Sequence, residues 1–344
     1  MVIYGKKVVW EECSVVGKKI LSIICSVTLT VAMLSGCSKG DSGSNDKIKI
    51  GLEQLTEHPA LDSARKGFEE RMKEQGYEDG KNIEYEYKNA QGDNSMNQQI
   101  AQNFVSDKKD IIVSIATPTA QAAYNATKDI PIVFTAVTDP VAAELVKSMD
   151  KPGTNVTGTS DDVSIEKQFD LLKKLVPNAK KVGMLYNTSE ANSEVQVNKA
   201  KEASSKFELE IVAKGITNVN EIDAALNSLL SDIDVLYIPT DNTIANAAAL
   251  VNKKAIEKKI PVIAAERGMV ENGALATLGI DYEQLGKDTA DVVIRIIKGE
   301  KPEDIPVTTL DDMNLIVNTD TVKALGITFP QEIDEKAEKI QGSK

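Results

Sequence analysis

From Lys47 onward the chain alternates short Val/Ile-rich runs with amphipathic stretches of helical period, and it does so in two successive series. Asp110–Ile115 and Val235–Ile238 lack the regular polar positions of a half-exposed strand, so they read as strands buried on both faces. Leu61, Ala64, Phe68 and Met72 fall on one helical face, and Ile165–Leu175 and Tyr282–Ile297 have the same character. Strands of this kind between amphipathic helices can bury their apolar faces only as parallel sheets covered on both sides. The fold class is therefore α/β, with two Rossmann-like lobes. The first lobe is expected over 47–158, completed by part of 278–305, and the second over 159–277, completed by part of 306–344. The same reading expects helices over Val141–Met149 and, in one piece, over Thr243–Lys258.

A different kind of segment precedes these series. Lys18 and Lys19 stand before an apolar run from Ile20 to Leu34, which ends in Leu34-Ser35-Gly36-Cys37. A basic start, an apolar stretch and small residues are the layout of an export signal. The run has 15 residues, short of the ~20 that span a bilayer. It closes on a cysteine rather than an Ala-x-Ala pattern, which looks like the lipobox of bacterial lipoproteins. Residues 1–36 are thus expected to be a signal peptide, Cys37 the lipidated residue, and 37–46, rich in Ser, Gly and Asp, a flexible tether. The expected location is the outer face of the cell membrane, held by lipid.

Composition excludes several function classes. The net charge is −12 and the leader accounts for four of the lysines, so the exported part is acidic and poorly suited to nucleic acid or anionic lipid headgroups. All three cysteines, Cys13, Cys25 and Cys37, lie at or before the expected cleavage point, leaving neither a disulfide nor a Cys-based metal site. One histidine, His58, offers a single candidate for an imidazole base, and no Gly-x-Ser-x-Gly, Gly-x-Gly-x-x-Gly or P-loop pattern occurs. Neither an enzyme, a cofactor nor a metal is expected.

In open parallel sheets ligands bind beyond the carboxyl ends of the strands, where helix N-termini offer free N–H groups. His58-Pro59, Thr117-Pro118 and Asp139-Pro140 mark those ends in the first lobe. In the second they carry Asn187-Thr188-Ser189-Glu190, Thr240-Asp241-Asn242, Glu266 and Asp281. One edge is rich in hydroxyls and helix starts, the other in carboxylates, and a zwitterion fits between them. Any one of these residues also suits plain helix capping. Asp241 stands out because three polar side chains share its turn, and Asn at 241 should cap as well as Asp. His58 reads as a loop or cap residue, and Tyr186 and Tyr282 as either ring-stacking or core residues.

Taken in order, Thr56-Glu57-His58-Pro59-Ala60-Leu61-Asp62, Ala116-Thr117-Pro118-Thr119, Val137-Thr138-Asp139-Pro140, Asn155-Val156-Thr157-Gly158, Pro239-Thr240-Asp241-Asn242 and Gly279-Ile280-Asp281-Tyr282 resemble the ABC-transporter substrate-binding lipoproteins of the tryptophan/tyrosine-type family. The resemblance covers about residues 47 to 330. It implies the type I periplasmic-binding-protein architecture, in which two lobes close on a small molecule, most simply an aromatic amino acid. It also implies an ABC permease and ATPase as partners. Carried over by motif, the ligand carboxylate falls to Thr117, Thr119 and Asn187 and the ammonium to Asp241, with Asp139 and Glu190 as helpers and Asn242, Tyr186 and Asp281 nearby. Two alternatives use the same fold: a sensor module reporting to a membrane kinase, or an importer component for a branched amino acid, nucleoside or sugar.

Overall fold

The computed structural model describes residues 47–342. Cys37, the signal segment and the tether lie outside the described residues.

Two sheets organise the chain. The first is built from β1 (Ile48–Gln54), α1 (Pro59–Glu74), β2 (Ile83–Asn89), α2 (Asn94–Ser106), β3 (Ile111–Ile115), α3 (Thr117–Ala126), β4 (Ile132–Thr135) and β5 (Val156–Ser160). The chain then passes to α4 (Ile165–Leu175), β6 (Lys181–Asn187), α5 (Ala191–Ala203), β7 (Glu210–Ile216), α6 (Ile222–Leu229), β8 (Val235–Ile238), α7 (Asn242–Asn246), α8 (Ala248–Glu257), β9 (Val262–Ala264), α9 (Arg267–Glu271) and β10 (Ala276–Gly279). It crosses back for α10 (Tyr282–Ile297) and β11 (Thr308–Thr309). It ends with β12 (Asn314–Asn318), α11 (Thr319–Leu325), α12 (Gln331–Lys336) and β13 (Glu338–Ile340).

The first sheet runs β2-β1-β3-β4-β5-β11, parallel throughout. The second runs β7-β6-β8-β9-β10-β12-β13, parallel except where β10 meets β12. Each is a doubly wound sheet whose strand order reverses at one place: between β1 and β3 in the first, between β6 and β8 in the second. Such reversals open a crevice at the carboxyl ends of the two strands. The three chain crossings between sheets leave at β5, at β10 and after β11.

Helix α10 belongs to the core of the first sheet. Its Leu285, Val292 and Val293 pack among Leu61 and Phe68 of α1, Leu52 of β1, and Ile111, Val113 and Ile115 of β3. The close approach of α10 to α1 depends on two glycines. A Cβ at Gly67 would sit 2.0 Å from the Glu283 carbonyl oxygen, and one at Gly286 would sit 1.9 Å from that of Ala64.

Two expected helices are not formed as read. Val141–Met149 is a packed turn. Glu144 is left-handed at φ 60°, Leu145 N and Val146 N both donate to the Pro140 carbonyl, and Lys147 N donates to that of Pro152. The residues between β4 and its parallel neighbour β5 make the crossover by burying Leu145 and Val146 directly, and tertiary packing overrides a helical pattern. Thr243–Lys258 is broken at Ala247 (φ −102°, ψ 12°), which separates α7 from α8. Among the described residues no helix is long and apolar enough to cross a membrane.

Candidate functional site

The two reversal points face each other. The β1–α1 turn brings His58, while the β6–α5 and β8–α7 turns bring Glu190, Asn192, Asp241 and Asn242. Between them lies a cavity with about 310 Å³ of space free of protein atoms, part of it open to solvent. Leu61, Ala136, Ala245 and Met269 supply apolar wall, and Tyr282 an aromatic one. The polar wall is one-sided in charge: Asp161, Asp241 and Glu266 line it, and no lysine or arginine does among the described residues.

Each of these carboxylates is buried and held by nearby donors. Asp241 caps α7 by accepting from Ile244 N at 2.8 Å, and its other oxygen accepts from Asn187 N at 2.6 Å. Burial, with Glu190 beside it, pushes Asp241 up to about 7. Glu266 caps α9 through the N–H groups of Gly268 and Met269, and burial pushes it up to about 7 as well. Asp161 accepts from the Thr138 hydroxyl at 2.9 Å and the Tyr282 hydroxyl at 2.8 Å, and burial raises it too. A carboxylate has about four lone-pair positions, so all three retain acceptor capacity.

Two further buried acceptors lack partners. Asn192 directs its Nδ2 to the Thr240 carbonyl at 2.7 Å, which leaves Oδ1 with no hydrogen bond among the described residues. His58 Nδ1 is likewise unpartnered. Buried polar atoms are rarely left so, and here both residues line the cavity.

The expected site residues divide. Asp241 and Asn242 line the cavity. Glu190 stands behind them: its two oxygens accept from the N–H groups and side chains of both Asn242 and Thr243, and from Asn192 Nδ2. This carboxylate fixes the turn, and with Asn187 and Asn242 it lines a neighbouring pocket rather than the cavity itself. Asn187 is also structural, with Nδ2 on the Thr243 hydroxyl and Oδ1 accepting from Ser189 N. The Thr119 hydroxyl donates back to the carbonyls of Ile115 and Ala116, as helix-start threonines do, so it is not a free donor. Thr117 Oγ1 is buried without a partner among the described residues. Asp139 caps its turn through Ala142 N and pairs with Lys199 at 3.5 Å. Asp281 is an exposed N-cap of α10, and Tyr186 packs at the margin of the second sheet's core.

His58, read from sequence as a loop or cap residue, does hold the N-cap position of α1, but its side chain makes no cap bond and lines the cavity. Sequence reasoning misses Asp161 and Asn192. Asp161 directly follows β5, so the strand-end rule could have reached it, whereas Asn192 inside the first turn of α5 gives no such signal.

A family model described as ABC transporter substrate binding protein matches residues 49–341. The chain belongs to this family of substrate-binding proteins. Among the family's proteins, the tyrosine-binding protein of Clostridioides difficile is 53% identical over 318 residues, covering 90% of this chain and 92% of the relative. A Streptococcus pneumonia structure in complex with L-Trp is 36% identical, covers 85% of this chain and 99% of that one, and superposes with a TM-score of 0.83. A ligand-free, open structure of a Clostridium difficile substrate-binding protein with adhesive properties is 53% identical, covers 86% and 99%, and reaches only 0.67. Sequence divergence would rank those two the other way. The lobes of this substrate-binding protein are therefore disposed as in the complex, and direct contacts across the crevice agree: Asn246 Nδ2 donates to Thr56 Oγ1 at 2.6 Å, and the hydroxyls of Thr138 and Thr240 meet at 3.0 Å.

Proposed function

We propose that the protein captures an aromatic L-amino acid, tyrosine or tryptophan, and delivers it to an ABC permease and ATPase while held to the outer face of the membrane by lipid on Cys37. The observation that carries this reading is the polar wall of the cavity, where hydroxyl and amide donors are engaged within the protein and acceptors are left over. Three buried carboxylates and two orphaned polar atoms, with no lysine or arginine among the residues around them, ask for a ligand cation rich in N–H donors. An α-ammonium supplies it. Leu61, Met269 and Tyr282 offer the apolar wall that a ring requires. The 53% identical tyrosine-binding protein and the 36% identical L-Trp complex support the aromatic class.

The test is calorimetry on the purified protein with L-tyrosine, L-tryptophan, L-leucine and a hexose. Tight binding of an aromatic amino acid alone is expected, with a thermal stabilisation of ~2.7 kcal/mol at a hundredfold excess over Kd. Preference for leucine or the sugar would overturn the reading. For the anchor, Cys37→Ser should abolish lipid labelling, and unchanged labelling would refute that part.

A further inference from the structure

Three side chains form a hydrogen-bonded line from the second lobe, across the crevice, into the cavity. Asn242 Nδ2 lies 2.6 Å from Glu190 Oε2, and Asn242 Oδ1 lies 3.1 Å from His58 Nε2. His58 and Asn242 are 8% exposed and Glu190 is 4% exposed, so solvent does not compete for these bonds. The order of donors along the line is forced. Glu190 accepts from N–H and O–H donors on both oxygens, so the Asn242 atom beside it is the amide nitrogen and the atom beside His58 is the amide oxygen. That oxygen also only accepts, so His58 Nε2 carries the proton. Burial lowers the pKa of His58 and keeps the ring neutral, so it has one N–H to give. Nδ1 is left bare, buried, and without a partner among the described residues.

We propose that Glu190, acting through Asn242, sets the tautomer of His58 as the lobes meet, so that His58 presents a lone-pair acceptor to the ligand and selects ligands that place an N–H donor there. This rests on the amine-bearing ligand proposed above. Glu190 and Asn242 are positioning residues, and His58 makes the contact. His58 is free for the role because it holds the N-cap position of α1 without using its side chain as a cap. The acceptor is also tied to closure, since His58 follows β1 of one sheet while Asn242 follows β8 of the other.

His58 is the chain's only histidine, so long-range proton–nitrogen spectra of the ring, recorded on protein labelled with nitrogen-15 histidine, report this residue alone. With saturating L-tyrosine the expected signature is protonated Nε2 and unprotonated Nδ1. Asn242→Ala should lose that signature and narrow the preference for L-tyrosine over its des-amino analogue by about tenfold, the effect of one buried hydrogen bond. A bound wild-type protein with Nδ1 protonated, or with a doubly protonated ring, overturns the relay and leaves the ligand class standing. Failure of every aromatic amino acid to bind in calorimetry overturns the ligand class instead. The tautomer is then read in the variant Thr56→Cys with Asn246→Cys, oxidised to hold the lobes together, where a protonated Nδ1 would again sink the relay.

Discussion

Two buried glutamates, one in each lobe, have opposite surroundings. Glu190, at the crevice edge of the second lobe, has both oxygens filled by N–H and O–H donors from Asn192, Asn242 and Thr243. Glu53, on β1 in the first lobe, is fully buried with neither oxygen hydrogen-bonded among the described residues, and burial pushes it up to about 9. The first is an acceptor built into a turn, and the second is a neutral acid inside a core. The difference teaches that burial alone does not mark a functional carboxylate. What matters is whether surrounding donors converge on it, because only then can it position neighbours such as Asn242.

The sharpest way to break this contrast is to remove each carboxylate. Glu190→Leu strands the N–H groups of Asn242 and Thr243 and their side chains in a buried turn, at about 1–3 kcal/mol for each group left unsatisfied. A loss of roughly 3–5 kcal/mol in folding stability is expected by chemical denaturation, the range for breaking a buried charged network. A loss below about 1 kcal/mol would mean that the turn is held by something else.

Glu53→Leu should do the reverse. It replaces an unpartnered buried acid by an apolar group of similar size, and a gain of about 1–3 kcal/mol is expected near pH 4.5, growing as pH rises. The pH dependence sharpens the test. The folded pKa lies above the unfolded value of 4.5, so the folded state binds the proton more tightly. Stability from this group is present below about pH 4.5 and is lost as pH rises toward about 9, by at most about 1.4 kcal/mol per pH unit. Glu53→Leu should flatten that decline, and an unchanged slope would place the titration elsewhere.

The crevice acids give the next effect. Asp241 and Glu266 rise to about 7, so they take up protons as pH falls below neutrality and cease to attract a cation. Affinity for L-tyrosine should weaken between pH 8 and pH 5.5, by up to about tenfold per pH unit below 7, and binding near pH 7 should release protons. Calorimetry in two buffers of different ionisation enthalpy measures the release, and its absence would remove these acids from the ligand contact. Asp241→Asn does not isolate that contact as the sequence suggests. Asp241 receives a backbone N–H on each oxygen, and an amide has only one acceptor oxygen, so folding stability should also fall, by about 1–3 kcal/mol.

These residues also show how far sequence reading reaches. The sheets were legible because β3 and β8 are buried at every position and their sequences are almost wholly apolar. Strand ends and polar turns coincide in sequence, and two residues singled out on that ground, Asp241 and Asn242, line the cavity. What failed was anything decided by distant partners. His58 differs from an ordinary loop histidine only through Asn242, 184 residues away. Thr119 and Glu190 have hydrogen bonds engaged within the protein, which residue type and spacing do not reveal. Val141–Met149 carries a helical pattern, yet the β4–β5 crossover packs it as a turn.

The smallest expected effect concerns a contact that closes the lobes without touching the cavity wall. Lys199 on α5 pairs with Asp139 of the first lobe at 3.5 Å and with Asp162, beside the first chain crossing, at 3.0 Å. Its side chain is 36% exposed, so water and salt screen the pair and its worth is about 0.2–1 kcal/mol. The pair can form with Asp139 only when the lobes meet, so its loss should act on the closed state. Lys199→Met is expected to speed ligand dissociation by a few-fold at low ionic strength while leaving association nearly unchanged, and the difference from wild type should shrink as salt shortens the Debye length toward ~3 Å at 1 M. Stopped-flow measurement with L-tyrosine at two salt concentrations checks this. A salt-independent change, or one carried by the association rate, would mean that Lys199 does not hold the closed lobes together electrostatically.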